Sequence, residues 1–191
     1  LFPEIEEMKS WFVFALMHVC FLSTAQQPND PFYFVKEFST FELSGREIEI
    51  EIWVKMKPAS DSSQVRIYAV QLGKGKEDFM SQTLTYAEKE EGLWTRYYTR
   101  MRVDQLARKI WFYCGVKGPG TYYFDQLQVL VKESSEVMRI LEEESDDFER
   151  KQILKSYIYP HELSKQVRFG TSRKTKMSGK QALQVKISAP L

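Results

Sequence analysis

Residues 47–56 read EIEIEIWVKM, an unbroken alternation that places Ile48, Ile50, Ile52 and Val54 on one side and Glu47, Glu49, Glu51 and Trp53 on the other. Successive side chains of a strand point to opposite faces, so a strict period of two predicts a strand with one face in a core and the other wet. Residues 64–72 (QVRIYAVQL) repeat the pattern, and a weaker strand is expected over 79–86. Residues 94–103 set Tyr97, Thr99, Met101 and Val103 against Arg96, Tyr98, Arg100 and Arg102. Residues 109–117 set Ile110, Phe112, Cys114 and Val116 against Trp111 and Tyr113, and 121–131 follow as a further strand. The stretches KPASDSS (57–63), GKGK (73–76) and GPG (118–120) between them are turn chemistry. Short strands at this spacing predict an all-β, antiparallel sandwich or barrel over residues 28–133.

The pattern breaks at Lys132. Residues 134–159 offer Ser134 or Ser135 as a helix cap and a partial apolar stripe of Val137, Leu141, Phe148 and Leu154, which predicts a linker helix. Residues 160–180 are basic and loop-like, and 181–191 alternate imperfectly, as the start of another strand would. The tail 160–191 therefore reads as unfinished.

At the other end, Lys9 precedes an apolar run from Trp11 to Leu22, broken by His18, and Ser23-Thr24-Ala25 supplies small residues before a polar stretch. Charge, apolar core and small-residue exit, in that order, describe a secretory signal over residues 8–25, with 1–7 as read-through. The run is shorter than the roughly 20 apolar residues a membrane span needs. The expected address is secreted or periplasmic, with no membrane span in the mature chain.

Composition narrows the chemistry. Lys and Arg number 27 against 26 Asp and Glu, so nothing in the overall charge calls for nucleic acid. Cys20 leaves with the signal and Cys114 stays alone, so no internal disulfide forms and Cys114 reads as a small apolar core residue. His161 is the one histidine beyond the signal, so no Ser-His-Asp arrangement can form inside the strand region. No His or Cys cluster has metal-ligand spacing, and the GKGK turn lacks the spacing of a phosphate loop. The chain is expected to be non-catalytic, with no cofactor.

Three stretches, GREIEIEIWVK (45–55), LWTRYYTRMRV (93–103) and GPGTYYFDQLQVLV (118–131), together resemble the galactose-binding-like jelly roll of carbohydrate-binding modules. Such modules occur at the N-terminus of secreted Bacteroidota enzymes, erythromycin-esterase-like proteins among them. The resemblance covers residues 32–132 and implies an exported accessory module, with a glycan and a downstream domain of the same polypeptide as partners. Members commonly carry an SGKxAL segment ahead of the W-V-K strand, whereas here SGKQAL lies at 178–183, and the resemblance thus implies a truncated second β module over the tail 160–191. The family's last strand often reads F-D-D, where acidic groups help hold a structural calcium; here Phe124-Asp125-Gln126 has one carboxylate fewer.

In jelly rolls successive strands tend to swap sheets, which would set 47–56 beside 94–103 and 64–72 beside 109–116. The first pairing puts Arg96, Arg100 and Arg102 against the glutamates as an exposed ion-pair ladder, each pair contributing about 0.2–1 kcal/mol. The second gathers Arg66, Tyr68, Val70, Lys109, Trp111 and Tyr113 on one outer face. Pyranose C–H faces stack on aromatic rings and arginine donates in a fork to sugar oxygens, so Trp111, Tyr113, Tyr68 and Arg66 are the candidate carbohydrate contacts. The same aromatics could instead be covered by the 134–157 helix, by residues 32–41 or by a following domain. That alternative makes the chain a structural or protein-docking unit; a third makes it the N-terminal part of a secreted hydrolase. Trp53 and Trp94 read as rim or core anchors.

Overall fold

The computed structural model describes residues 30–74, 79–89, 93–134, 137–149, 154, 156–160 and 162–189. The expected read-through and signal, and His161, lie outside the described residues. The described residues form twelve strands: β1 (Phe32–Ser39), β2 (Glu47–Pro58), β3 (Gln64–Leu72), β4 (Phe79–Leu84), β5 (Tyr86–Lys89), β6 (Thr95–Arg102), β7 (Lys109–Lys117), β8 (Gly120–Lys132), β9 (Met138–Ile140), β10 (Tyr157–Ile158), β11 (Val167–Ser172) and β12 (Ala182–Ile187). One sheet has the order β10-β1-β7-β3-β4 and the other β11-β12-β8-β2-β6-β5, with β9 also on β8. The strand pairs run antiparallel. The expected neighbours β2 and β6, and β3 and β7, are paired.

The alternation sets the core. Ile48, Ile50, Ile52 and Val54 of β2 join Phe32, Phe34 and Phe38 of β1 and Ile110, Phe112, Cys114 and Val116 of β7 in one buried cluster. Each such side chain contributes about 1.5–3 kcal/mol on burial. Phe34 and Phe124 meet edge to face across the two sheets, with ring centroids 5.1 Å apart. Burial pushes the Cys114 thiol well above its ordinary range, in keeping with a core side chain.

Simple alternation would fail in β8, since Tyr122, Phe124, Leu127, Val129 and Val131 all enter the core. A bulge reconciles them. Glu51 pairs with Gln128 but Trp53 pairs with Asp125, so β8 holds an extra residue there, and Gln126 takes φ 47°. The bulge resets the phase by one and keeps both halves of β8 facing inward.

Over the described residues of 134–159 the expected helix does not form, and no helix occurs among the described residues. Its apolar residues are instead spent along the free edge of β8. Leu141 N–H donates to Val129 O, Leu127 and Asp146 exchange backbone hydrogen bonds, and β9 pairs with residues 130–132. Leu141, Phe148 and Leu154 are buried in the shared core. An edge strand leaves backbone groups that need partners, and this segment satisfies them better as an extended lining than as a helix.

The tail likewise departs from the expected second module. β12 pairs with β8 from Leu183↔Phe124 to Ile187↔Gly120, and β11 pairs with β12. Val167, Leu183, Val185 and Ile187 belong to the same core as β1 and β2. Two of the chain's changes of sheet fall at Thr85, from β4 to β5, and between β10 and β11. Phe169 closes the second crossing, 5.3 Å from the Phe32 ring and 5.8 Å from that of Tyr159.

Candidate functional site

The outer face of the five-stranded sheet is built by β1, β7 and β3. Register places Val35, Tyr113 and Tyr68 in one lateral row, Tyr33, Gly115 and Arg66 in the next, and Glu37, Trp111 and Val70 on the other side. All four sequence-predicted contacts, Trp111, Tyr113, Tyr68 and Arg66, therefore share one face, and their roles differ.

Tyr113 is the centre. Its ring stacks on Tyr68 at 4.6 Å and on Tyr33 at 5.5 Å, which leaves the residue only 3 % exposed. Its hydroxyl donates to Asp30 Oδ2 at 2.7 Å, and Arg66 Nη1 donates to Asp30 Oδ1 at 3.3 Å. The Asp30 side chain is 1 % exposed and the Arg66 side chain 52 %. Burial and the hydrogen bond to Asp30 push the Tyr113 hydroxyl far above its ordinary range, so it is a permanent donor. Burial raises Tyr68 as well. Gly115 makes room for this unit: a Cβ there would lie 2.6 Å from the Tyr113 hydroxyl, and Asp30 Oδ2 would be closer still.

Trp111 is half-buried. Its Nε1–H donates to Glu37 Oε2 at 2.9 Å, and Lys109 Nζ donates to Glu37 Oε1 at 2.7 Å. The face thus presents Trp111, Tyr68 and Tyr33 for stacking, Arg66 as donor and Glu37 as acceptor, over a tyrosine too enclosed to stack a ligand itself.

Asp30, Tyr33, Glu37 and Gly115 were not read as site residues from sequence. Tyr33 and Glu37 carry a signal, the alternation against Phe32, Phe34 and Phe38. Asp30 carries none, because it lies outside any strand and reaches the face only through the fold.

On the other sheet the expected ladder exists in part, with its central carboxylates buried: Arg96 and Arg100 pair with Glu49 and Glu51, whereas Arg102 donates to Gly45 O and Glu47 pairs with Lys132. Register sets Glu49 opposite Arg100 and Glu51 opposite Tyr98, and Glu49 and Glu51 are 4 % and 7 % exposed. Arg96 bridges Glu49 and Glu51, donating from Nε to Glu51 Oε2 at 2.6 Å, and also reaches Glu88 at 3.3 Å. Arg100 pairs with Glu49, and both guanidinium groups lie over the Tyr98 ring. Burial works against the Arg96 charge, but Glu51 and then Glu49 outweigh it and hold the guanidinium pKa above its ordinary value. Trp53 and Trp94 close with Tyr123 and Ala182 into a small second core.

Asp125, the acid of the FDQ stretch, spends its oxygens on backbone. Oδ1 accepts from Gln126 N–H at 2.9 Å, and Oδ2 from Met177 N–H at 2.7 Å and Ser178 N–H at 3.2 Å. Among the described residues no group of three or more His, Cys, Asp or Glu side chains is placed to hold a metal ion. No helix among them is long and apolar enough to cross a membrane. No family model matches the chain, and no curated protein or solved structure matches it.

Proposed function

We propose that this chain is a non-catalytic carbohydrate-binding module of the galactose-binding-like jelly-roll kind, an accessory part of a larger exported protein. Its glycan lies across β7 and β3 on the outer face of the five-stranded sheet. One observation carries this reading: Trp111, Tyr68 and Arg66 come from two paired strands onto one face, where the Tyr113–Asp30 unit holds Tyr68 and Arg66, and Glu37 holds Trp111. Aromatic edges and faces meet sugar C–H groups, while Arg66 and Glu37 supply a donor and an acceptor for hydroxyls. The rigid tyrosine stack lowers the entropy lost on binding.

Affinity electrophoresis against a panel of soluble polysaccharides tests the proposal. Retardation by a glycan, lost in Trp111→Ala with the circular dichroism spectrum unchanged, is the expected result. Absence of retardation with every polysaccharide would favour the protein-docking reading, in which the same face packs on a downstream domain.

A further inference from the structure

We propose that the outer face of the opposite sheet, where β11, β12, β8 and β2 run side by side, is a second binding surface, for a linear acidic polysaccharide. Residues 165–186 hold seven lysines and arginines and no acidic residue, although the chain as a whole is near neutral. The fold arranges part of this charge in a row. Arg168 pairs with Lys186, Lys186 with Thr121, and Thr121 with Lys57, so three cations lie in one lateral line across four strands. With neighbouring strands about 4.8 Å apart, the line spans about 14 Å.

All three cations point outward, because Val167, Val185, Ile187, Tyr122 and Val54 take the inward positions of the same strands. Arg168, Lys186 and Lys57 are exposed, and among the described residues none of them is in an ion pair. Lys57 lies 5.8 Å from the centroid of the Tyr123 ring, a contact that leaves its charge uncompensated. The hairpin loop adds exposed Arg173 and Lys174 and is fixed in place: Asp125 accepts from Met177 and Ser178 N–H, and Glu149 from Lys180 and Gln181 N–H. Glu149 also offsets charge on Lys180 and Lys176.

A row of cations at strand spacing matches carboxylates or sulfates recurring along a sugar chain. The aromatic residues nearby do not suit nucleic acid, since Trp53, Trp94 and Tyr123 are closed into their own cluster and offer no ring for base stacking. A protein partner would call for an apolar centre within the cationic row, and Thr121 stands there instead.

The test is affinity electrophoresis of the whole chain in gels containing polygalacturonate, dextran sulfate or neutral dextran at low ionic strength. Both anionic gels should retard the protein, with dextran inert and added salt weakening the effect, as screening requires. The double variant Arg168→Glu/Lys186→Glu and the single variant Lys57→Glu should lose this retardation with their circular dichroism unchanged, while Trp111→Ala keeps it. Equal retardation of the charge-reversal variants, or no retardation of the parent chain, overturns the proposal. So does stronger competition by a single-stranded oligonucleotide than by free polygalacturonate. Because Trp111 is on the other sheet, its substitution separates failure here from failure of the first surface.

Discussion

Gly115 shows how one missing side chain builds a surface. It sits under the hydrogen bond between Tyr113 and Asp30, and a methyl group there would meet both partners inside van der Waals contact. Gly115→Ala should therefore destabilise the chain by about 1–3 kcal/mol, the usual cost of overpacking. Thermal unfolding reads this directly, and a midpoint equal to that of the parent would mean that Asp30 and Tyr113 shift at no cost. Glu49 and Glu51 show the converse, residues whose chemistry the sequence states and whose environment it does not. Alternation places them on the outer face, as expected, but the Arg96, Tyr98 and Arg100 side chains fold over them. Loss of Arg96 would strand carboxylates already out of water, which weighs more than breaking an exposed pair.

Among the elements, β8 organises the molecule, because two separate segments share one of its edges. β12 takes residues 120–124, Asp146 bridges to Leu127, and β9 takes 130–132. The bulge at Asp125–Gln126 marks the changeover and turns Asp125 toward the β11–β12 loop. Burial lifts the Asp125 carboxyl above its ordinary value of 3.8, despite backbone hydrogen bonds that pull it down, and the Glu149 charge adds to the rise. The folded chain thus holds this proton more tightly than the unfolded chain. Its contribution to stability is full below the ordinary Asp range and is lost as pH rises through the folded-state pKa. Asp125→Asn cannot ionise, so the stability of the parent relative to this variant should fall as pH increases from about 3 to about 7. Denaturant midpoints measured across that range check it; a constant difference would mean that Asp125 titrates as an exposed carboxyl does. The element that periodicity misread was the 134–159 segment, whose stripe of Leu141, Phe148 and Leu154 was real but served an extended lining. A few buried apolar residues at irregular spacing do not distinguish the two, since both bury the same side chains.

For the whole molecule, the decisive contact is between the tail and β8. Chains ending at residue 160 would keep residues 32–132 but lose Val167, Leu183, Val185 and Ile187 from the core and bare residues 120–124 on one edge of β8. Such a truncation should fail to fold or should aggregate, seen as loss of the cooperative thermal transition and of the monomer peak in gel filtration. A truncated chain that melts cooperatively near the parent midpoint would restore the view of residues 160–191 as a separate unit. What the sequence by itself determined is local: where strands run, which residues of each face inward, and where turns fall, because a two-residue period is a property of neighbours along the chain. From that, and from the resemblance, Trp111, Tyr113, Tyr68 and Arg66 could be gathered onto one face. Only the tertiary structure decided that Tyr113 is enclosed, that Asp30 anchors it, that SGKQAL leads into a strand beside β8, and that the tail's cations line up with Lys57. Strand pairing is made by backbone groups that nearly every residue carries alike, so partner and register are settled by how the apolar faces of distant segments fit one core.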